Sequence, residues 1–262
     1  MSRPTNDLRS LSAPFQPSNW PELICPSCGR GSLSLGDKEN FSLVESRQSQ
    51  EIRSHEAWEP EWMHGTFHAE LTCDRNQCGE VVITAGDWKT TTYKDDELGR
   101  WDGQSYEEVV LPRFFLPSLM LISPHENYPS AVCELVTAAS TLLWTDPSAA
   151  ANRLRASIEK LLDIQRIPKS FIDKKGKRQR GTTDWRIRKF ENKRSEPAKF
   201  LMSVKWIGNS GSHEDSLTAS DVIDAADLLE HALTLIYDSR PKQLAKRAMA
   251  INKRRGLPRK RK

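Results

Sequence analysis

LMSVKWIGNSGSHE, residues Leu201–Glu214, runs from an apolar helical segment into a short glycine-punctuated loop that ends on a histidine. Gly208 and Gly211 can adopt the dihedrals that end a helix and turn the chain, which holds Asn209, Ser210, Ser212 and His213 at one junction. Two readings of the junction stand side by side. In one the polar groups are caps: Asn209 or Ser212 satisfies orphan backbone amides and His213 sits at a helix entrance. In the other they form a functional site, with Lys205 about one turn before Asn209 supplying a positive charge.

On both sides of the junction the chain reads as helical. Thr218 to Asp238 carries Val222, Ala226, Leu229, Leu233 and Ile236 in a three-four stripe, and Thr218 with Asp221 can form a capping box. Upstream, Ser130 to Trp144 ends at Asp146-Pro147, where a second helix begins with Ala151, Leu154, Ile158, Leu161 and Gln165 on one side. Adding the helix that ends near Ile207 gives at least four, which suits an up-and-down bundle. Cys133 lies in the first of them as a small core residue.

Gly208-Asn209 followed by three residues and His213, after a helix carrying Lys205, resembles the signature of the bacterial family called domain of unknown function 4145. Ser148 to Asp163, SAAANRLRASIEKLLD, is similar to that family's first long core helix, and Leu111 to Pro129 to its proline-rich lead-in. A paired-cysteine N-terminus is also common in the family, so the resemblance spans most of residues 20 to 240. The family in turn resembles the HEPN superfamily (higher eukaryotes and prokaryotes nucleotide-binding), many of whose members are metal-independent ribonucleases. Their motif has an arginine, a polar residue directly after it and a histidine a few residues on. Asn209 fits the polar place and His213 the histidine, while Gly208 stands where the arginine would be.

The expected fold is therefore mainly α: a HEPN-like helical bundle, residues 130–240, preceded by a small β zinc ribbon. Cys25-Pro26-Ser27-Cys28-Gly29 has the form of a zinc knuckle, and Cys73 and Cys78, with four residues between them, close the site between strands expected at Phe67–Thr72 and Glu80–Thr84. A structural Zn2+ on Cys25, Cys28, Cys73 and Cys78 is the expectation, with unligated thiols as the alternative and His64 and His68 as rival ligands. Four thiolates leave no open position for catalysis. The 44 residues between the pairs include an acidic, tryptophan-bearing segment, Glu56–Trp62, read as an insertion or extra hairpin. Residues 1–20 read as a polar, poorly ordered arm, 21–90 as the ribbon and 91–129 as a connector. In that connector Val109–Ile122 is broken by Pro112 and Pro117 and packs as extended chain.

Apolar residues make up 37% of the 262 and charged ones 28%, with no apolar run of the about 18 residues a membrane span needs. The first twenty residues lack a signal-peptide core, and the odd number of cysteines in close pairs suits metal binding in a reducing compartment, so a cytoplasmic protein is expected. The net charge of +4 hides an asymmetry. Residues 240–262 hold eleven Lys or Arg and no acid, which leaves 28 basic and 35 acidic groups, a balance of −7, on the rest. Between the second and third helices, residues 168–194 hold eleven basic and three acidic residues. Lys174, Lys175, Lys177, Arg178, Arg180, Arg186 and Arg188 there, and Lys253, Arg254 and Arg255 in the 241–262 tail, are candidate phosphate contacts, with Trp185 and Phe190 placed to stack on bases. The bland alternative is a solvated charge run.

Two function classes follow. The first, implied by the resemblance, is an RNA-directed HEPN-like homodimer, a metal-independent endoribonuclease in bacterial stress response or phage defence, with His213 as general base, Asn209 positioning and Lys205 as the cation. The second is a non-catalytic zinc-ribbon adaptor that joins nucleic acid to a partner protein such as a restriction-type enzyme. Phosphate-binding P-loops, dinucleotide fingerprints, nucleophile elbows and zinc-protease motifs are missing from the sequence, which removes support for those chemistries.

Overall fold

The computed structural model describes residues 6–36, 40–93, 105–210 and 217–256. It corrects the expected fold class: 46% of the described residues are helical and 23% are strand, and the N-terminal half is a curled antiparallel sheet rather than a small ribbon. The sheet comprises β1 (Leu23–Ile24), β2 (Ser32–Leu35), β3 (Phe41–Glu45), β4 (His64–Cys73), β5 (Val81–Tyr93) and β6 (Ser105–Leu116). Its order is β1-β2-β4-β5-β6, with β3 on the β4 edge beside β2. The source of the misreading is β6. The stretch expected to pack as extended chain is extended as far as Leu116 but pairs with β5 as part of the sheet, and its one proline, Pro112, lies where the β5–β6 register shifts between Ala85 and Gly86, a place where an imino residue costs no ladder bond.

Strand alternation decides which face is buried. Along β4, Phe67, Ala69, Leu71 and Cys73 point inward while His68 and Glu70 face solvent. On β5, Val82, Thr84 and Trp88 share the inner face. Residues 6–20, read from the sequence as an arm, lie against this sheet: Leu8 and Leu11 are buried, and Phe15 exchanges backbone hydrogen bonds with Val110.

The stretch between the cysteine pairs holds β2, β3, the short helix α1 (Arg47–Ile52) and most of β4. Beyond the sheet come α2 (Ser130–Leu142), α3 (Pro147–Ile164), a hairpin of β7 (Ser170–Ile172) and β8 (Arg178–Arg180), then α4 (Thr183–Glu191), α5 (Ser195–Ser210), α6 (Ala219–Tyr237) and α7 (Arg240–Arg254). The local signals are those the sequence carries. Asp146 caps α3 by accepting from Ala149 N, with Pro147 in the first turn, and Thr218 and Asp221 form the capping box of α6. Such caps are worth about 1 kcal/mol each. The stripe Val222, Ala226, Leu229, Leu233 and Ile236 of α6 is buried, and Cys133 packs at the core's margin.

One apolar core runs through both halves. Leu11, Leu23, Leu33, Leu71, Val82 and Phe115 of the N-terminal half are continuous with Leu119, Val136, Leu154, Leu201 and Leu229 of the helical half. Arg9 pairs with Asp224 and Asp227 of α6, and the Phe115 and Trp144 rings meet at 5.7 Å.

Candidate functional site

Two turns bring four sulfurs together. Cys25–Gly29 and Cys73–Gly79 each end on a glycine at φ 60°, Gly29 and Gly79, the left-handed region that a side chain would strain. Gly29 N–H donates to Cys25 O, and Gly79 N–H donates to Arg75 O. The turns are tied to each other, because Ser32 N–H donates to Asp74 Oδ1 at 2.9 Å and Asp74 N–H donates to Ser32 O. The Sγ atoms of Cys25 and Cys78 are 3.8 Å apart, as are those of Cys28 and Cys73, and all four lie within 4.8 Å of one another. A disulfide needs about 2.05 Å. A tetrahedron of thiolates about 2.3 Å from a metal has edges of about 3.8 Å, so the four sulfurs fit one ion.

Electrostatics divides the thiols. Burial pushes the Cys25 thiol up to about 12. Burial, the largest single influence, opposes ionisation of Cys28 too, but the N–H groups of Gly31 and Arg30 together with the Cys78 and Arg75 side chains outweigh it and bring that thiol down to about 6. The rival histidines stand apart. His68 is on the opposite face of β4 from Cys73, and His64 is engaged by Ser46 Oγ at 3.1 Å and Trp62 O at 2.9 Å.

Two residues of the Leu201–Glu214 motif, Lys205 and Asn209, make separate contacts. His213 lies outside the described residues. Lys205 is 7% exposed, donates to Asp184 Oδ1 at 3.3 Å and stands 3.2 Å from the centroid of the Trp206 ring. Asn209, one turn on, instead accepts from Arg155 Nη1 of α3 at 3.2 Å. Gly208 touches the same helix: a Cβ there would be 3.3 Å from Arg155 Cβ, a tight contact that keeps α3 and α5 close. Sequence reasoning missed Arg155. Its signal was present, since it is one turn beyond buried Ala151 and one turn before buried Ile158.

The basic segment folds as the β7–β8 hairpin and α4. Lys174, Lys175, Lys177, Arg178 and Arg180 are all exposed, and none has an ion-pair partner among the described residues. Phe171 stacks on Trp185 at 4.9 Å, and Lys189 lies 5.6 Å over the same indole. Phe190, the other expected stacking ring, is buried in the core. Two cations are diverted. Arg186 is 5% exposed and donates to Asp163 Oδ1 at 2.6 Å and to Ile167 O, and Arg188 pairs with Asp184 at 2.9 Å. Lys253, Arg254 and Arg255 are exposed at the end of α7, whose residues 243–250 are exposed as well.

Residues 137–254 match the family model of a domain of unknown function, DUF4145, the family whose signature the helical half resembles. Residues 13–115, which hold the cysteine cluster and the sheet, match a second domain of unknown function, DUF8608. No curated protein and no solved structure matches the chain. Among the described residues no helix is long and apolar enough to cross a membrane.

Proposed function

We propose that this is an RNA-binding protein in which a structural zinc ion fixes the β half and the β7–β8 hairpin of the helical half contacts the phosphate backbone. The basic segment carries the reading: it holds five exposed cations without ion pairs among the described residues, together with the stacked pair Phe171–Trp185. Cations of this kind release counterions from phosphates, and an aromatic platform favours unpaired bases. Zinc suits the four thiols because a closed tetrahedral sulfur set is its usual structural site. Such a site needs reducing surroundings, and we place the protein in the cytoplasm, as a homodimer that can also engage a protein partner.

The hairpin reading is tested with a single-stranded RNA oligonucleotide titrated across a salt series. Replacing Lys174, Lys175 and Lys177 together by Gln should weaken binding and flatten the salt dependence by about two units of slope, at about 0.7 per lost contact. An unchanged slope overturns it. One observation keeps metal-independent RNA cleavage as a second reading: Arg155 brings a guanidinium to Asn209, beside the Gly208 position where the resembled motif has its arginine. Cleavage of the same oligonucleotide in the presence of a chelator, lost in His213→Ala, would carry that reading; intact oligonucleotide would exclude it.

A further inference from the structure

A cleft of about 490 Å3 lies between α3 and the junction of β8 with α4, within the about 300–1,000 Å3 usual for small-ligand sites. Arg155 and Glu159 form one wall, Arg180 and Thr183 the other, and Arg186 lines it from within the core. The acidic groups are already engaged. Glu159 accepts the Thr183 hydroxyl at 2.7 Å, and Asp163 is taken by Lys169 at 2.8 Å and Arg186 at 2.6 Å. Arg155 and Arg180 are left with no carboxylate partner among the described residues, and Arg155 meets only the neutral Asn209. The buried Nε of Arg186 also has no acceptor there. The first turn of α4 opens at the same place, and of its amides Trp185 N–H is satisfied by Thr182 Oγ1, while the first N–H groups of a helix have no partner within it.

Unneutralised guanidinium groups, a helix N-terminus and a pocket of nucleotide size converge on one ligand chemistry. We infer that this cleft binds a phosphate monoester, presented either by a mononucleotide or by the 5′ end of an RNA strand, between Arg155 and Arg180. The inference deepens the RNA-binding reading and rests on it for the second source only. Arg180 ties the two, because it leads from the exposed hairpin into the cleft, so an RNA lying on the hairpin has a path for its terminus.

The test uses full-length protein, 5′-AMP, adenosine, and one RNA oligonucleotide with a 5′-phosphate or a 5′-hydroxyl. Expected is binding of AMP over adenosine, or of the phosphorylated over the hydroxyl end, by about tenfold or more, as charge-assisted hydrogen bonds supply. The preference should fall to near unity in Arg155→Gln and, as a second variant on the exposed hairpin, Arg180→Gln. A preference confined to AMP identifies the mononucleotide as the source, and one confined to RNA ends identifies the strand. Equal binding of each pair, or a preference that survives both substitutions, overturns the site. Loss of affinity for both oligonucleotides with the AMP preference intact would instead count against the RNA-binding reading.

Discussion

Lys205 Nζ donates to Asp184 Oδ1, linking α5 to the first turn of α4. Asp184 also holds Arg188, and these two cations keep its carboxyl below the ordinary carboxylate range although burial works the other way: the Arg188 bond is the largest influence, then burial, then Lys205. A lysine committed to this role is part of the scaffold. Lys205→Ala should lower stability by about 2 kcal/mol, less than a fully buried pair because Asp184 is partly exposed. RNA affinity should change little. Urea unfolding beside an RNA titration reads both, and a large loss of binding without loss of stability would return Lys205 to the functional site.

Acid should release the α3–α4 contact. Burial raises the Asp163 carboxyl, but Lys169 and Arg186 outweigh it and hold the group below its ordinary value. A carboxylate lowered on folding contributes stability that is complete above its unfolded value of about 3.9 and is lost as pH falls through the folded one. Asp163→Asn should therefore cost about 2 kcal/mol at neutral pH, since it leaves Arg186 buried without its anion. The gap from the parent protein should close below about pH 4. Denaturation of the two proteins over that range measures the gap directly, and metal release affects both alike; a gap constant down to pH 3 would contradict the ion-pair account.

Removing the metal should be felt across the whole chain. Freshly purified protein should carry one zinc per chain by elemental analysis, and Cys73→Ser should lose it. Binding must displace protons, above all from Cys25, whose thiol lies near 12, so affinity should fall as the solution is acidified. Cys25 and Cys73 belong to the same core as Leu119 and Val136, so hydrogen exchange should quicken in α2 as well as in the sheet after chelation. Protection unchanged in α2 would show the halves to be energetically separate.

The helical half was legible where local chemistry and burial agree. Thr218 and Asp221 cap as their spacing demands, and the α6 stripe is buried as its period demands. The cysteine spacing foretold the cluster because a two-residue and a four-residue knuckle have few ways to close. What escaped was long-range. The segment SYEEVVL, 105–111, is rich in strand formers, yet the prolines that follow it read as breakers until β5 supplies the bulge that accommodates Pro112. Arg186 and Lys205 were read as parts of a charge run and a motif. Each is in fact beside buried neighbours at helical spacing, Arg186 with Phe190 and Lys205 with Leu201, and their carboxylate partners come from other helices.

The two family matches stop at 115 and resume at 137, yet Leu119 and Leu121 in the gap are buried in the core both halves share. The boundary visible to inheritance is thus not a boundary in packing. A recombination event that exchanged one half for a distant relative's would have to match apolar surfaces across Leu23, Phe115 and Leu119, or leave both pieces with an open face prone to aggregation. Selection on one half is in this sense selection on the other, and the pair can be expected to travel together.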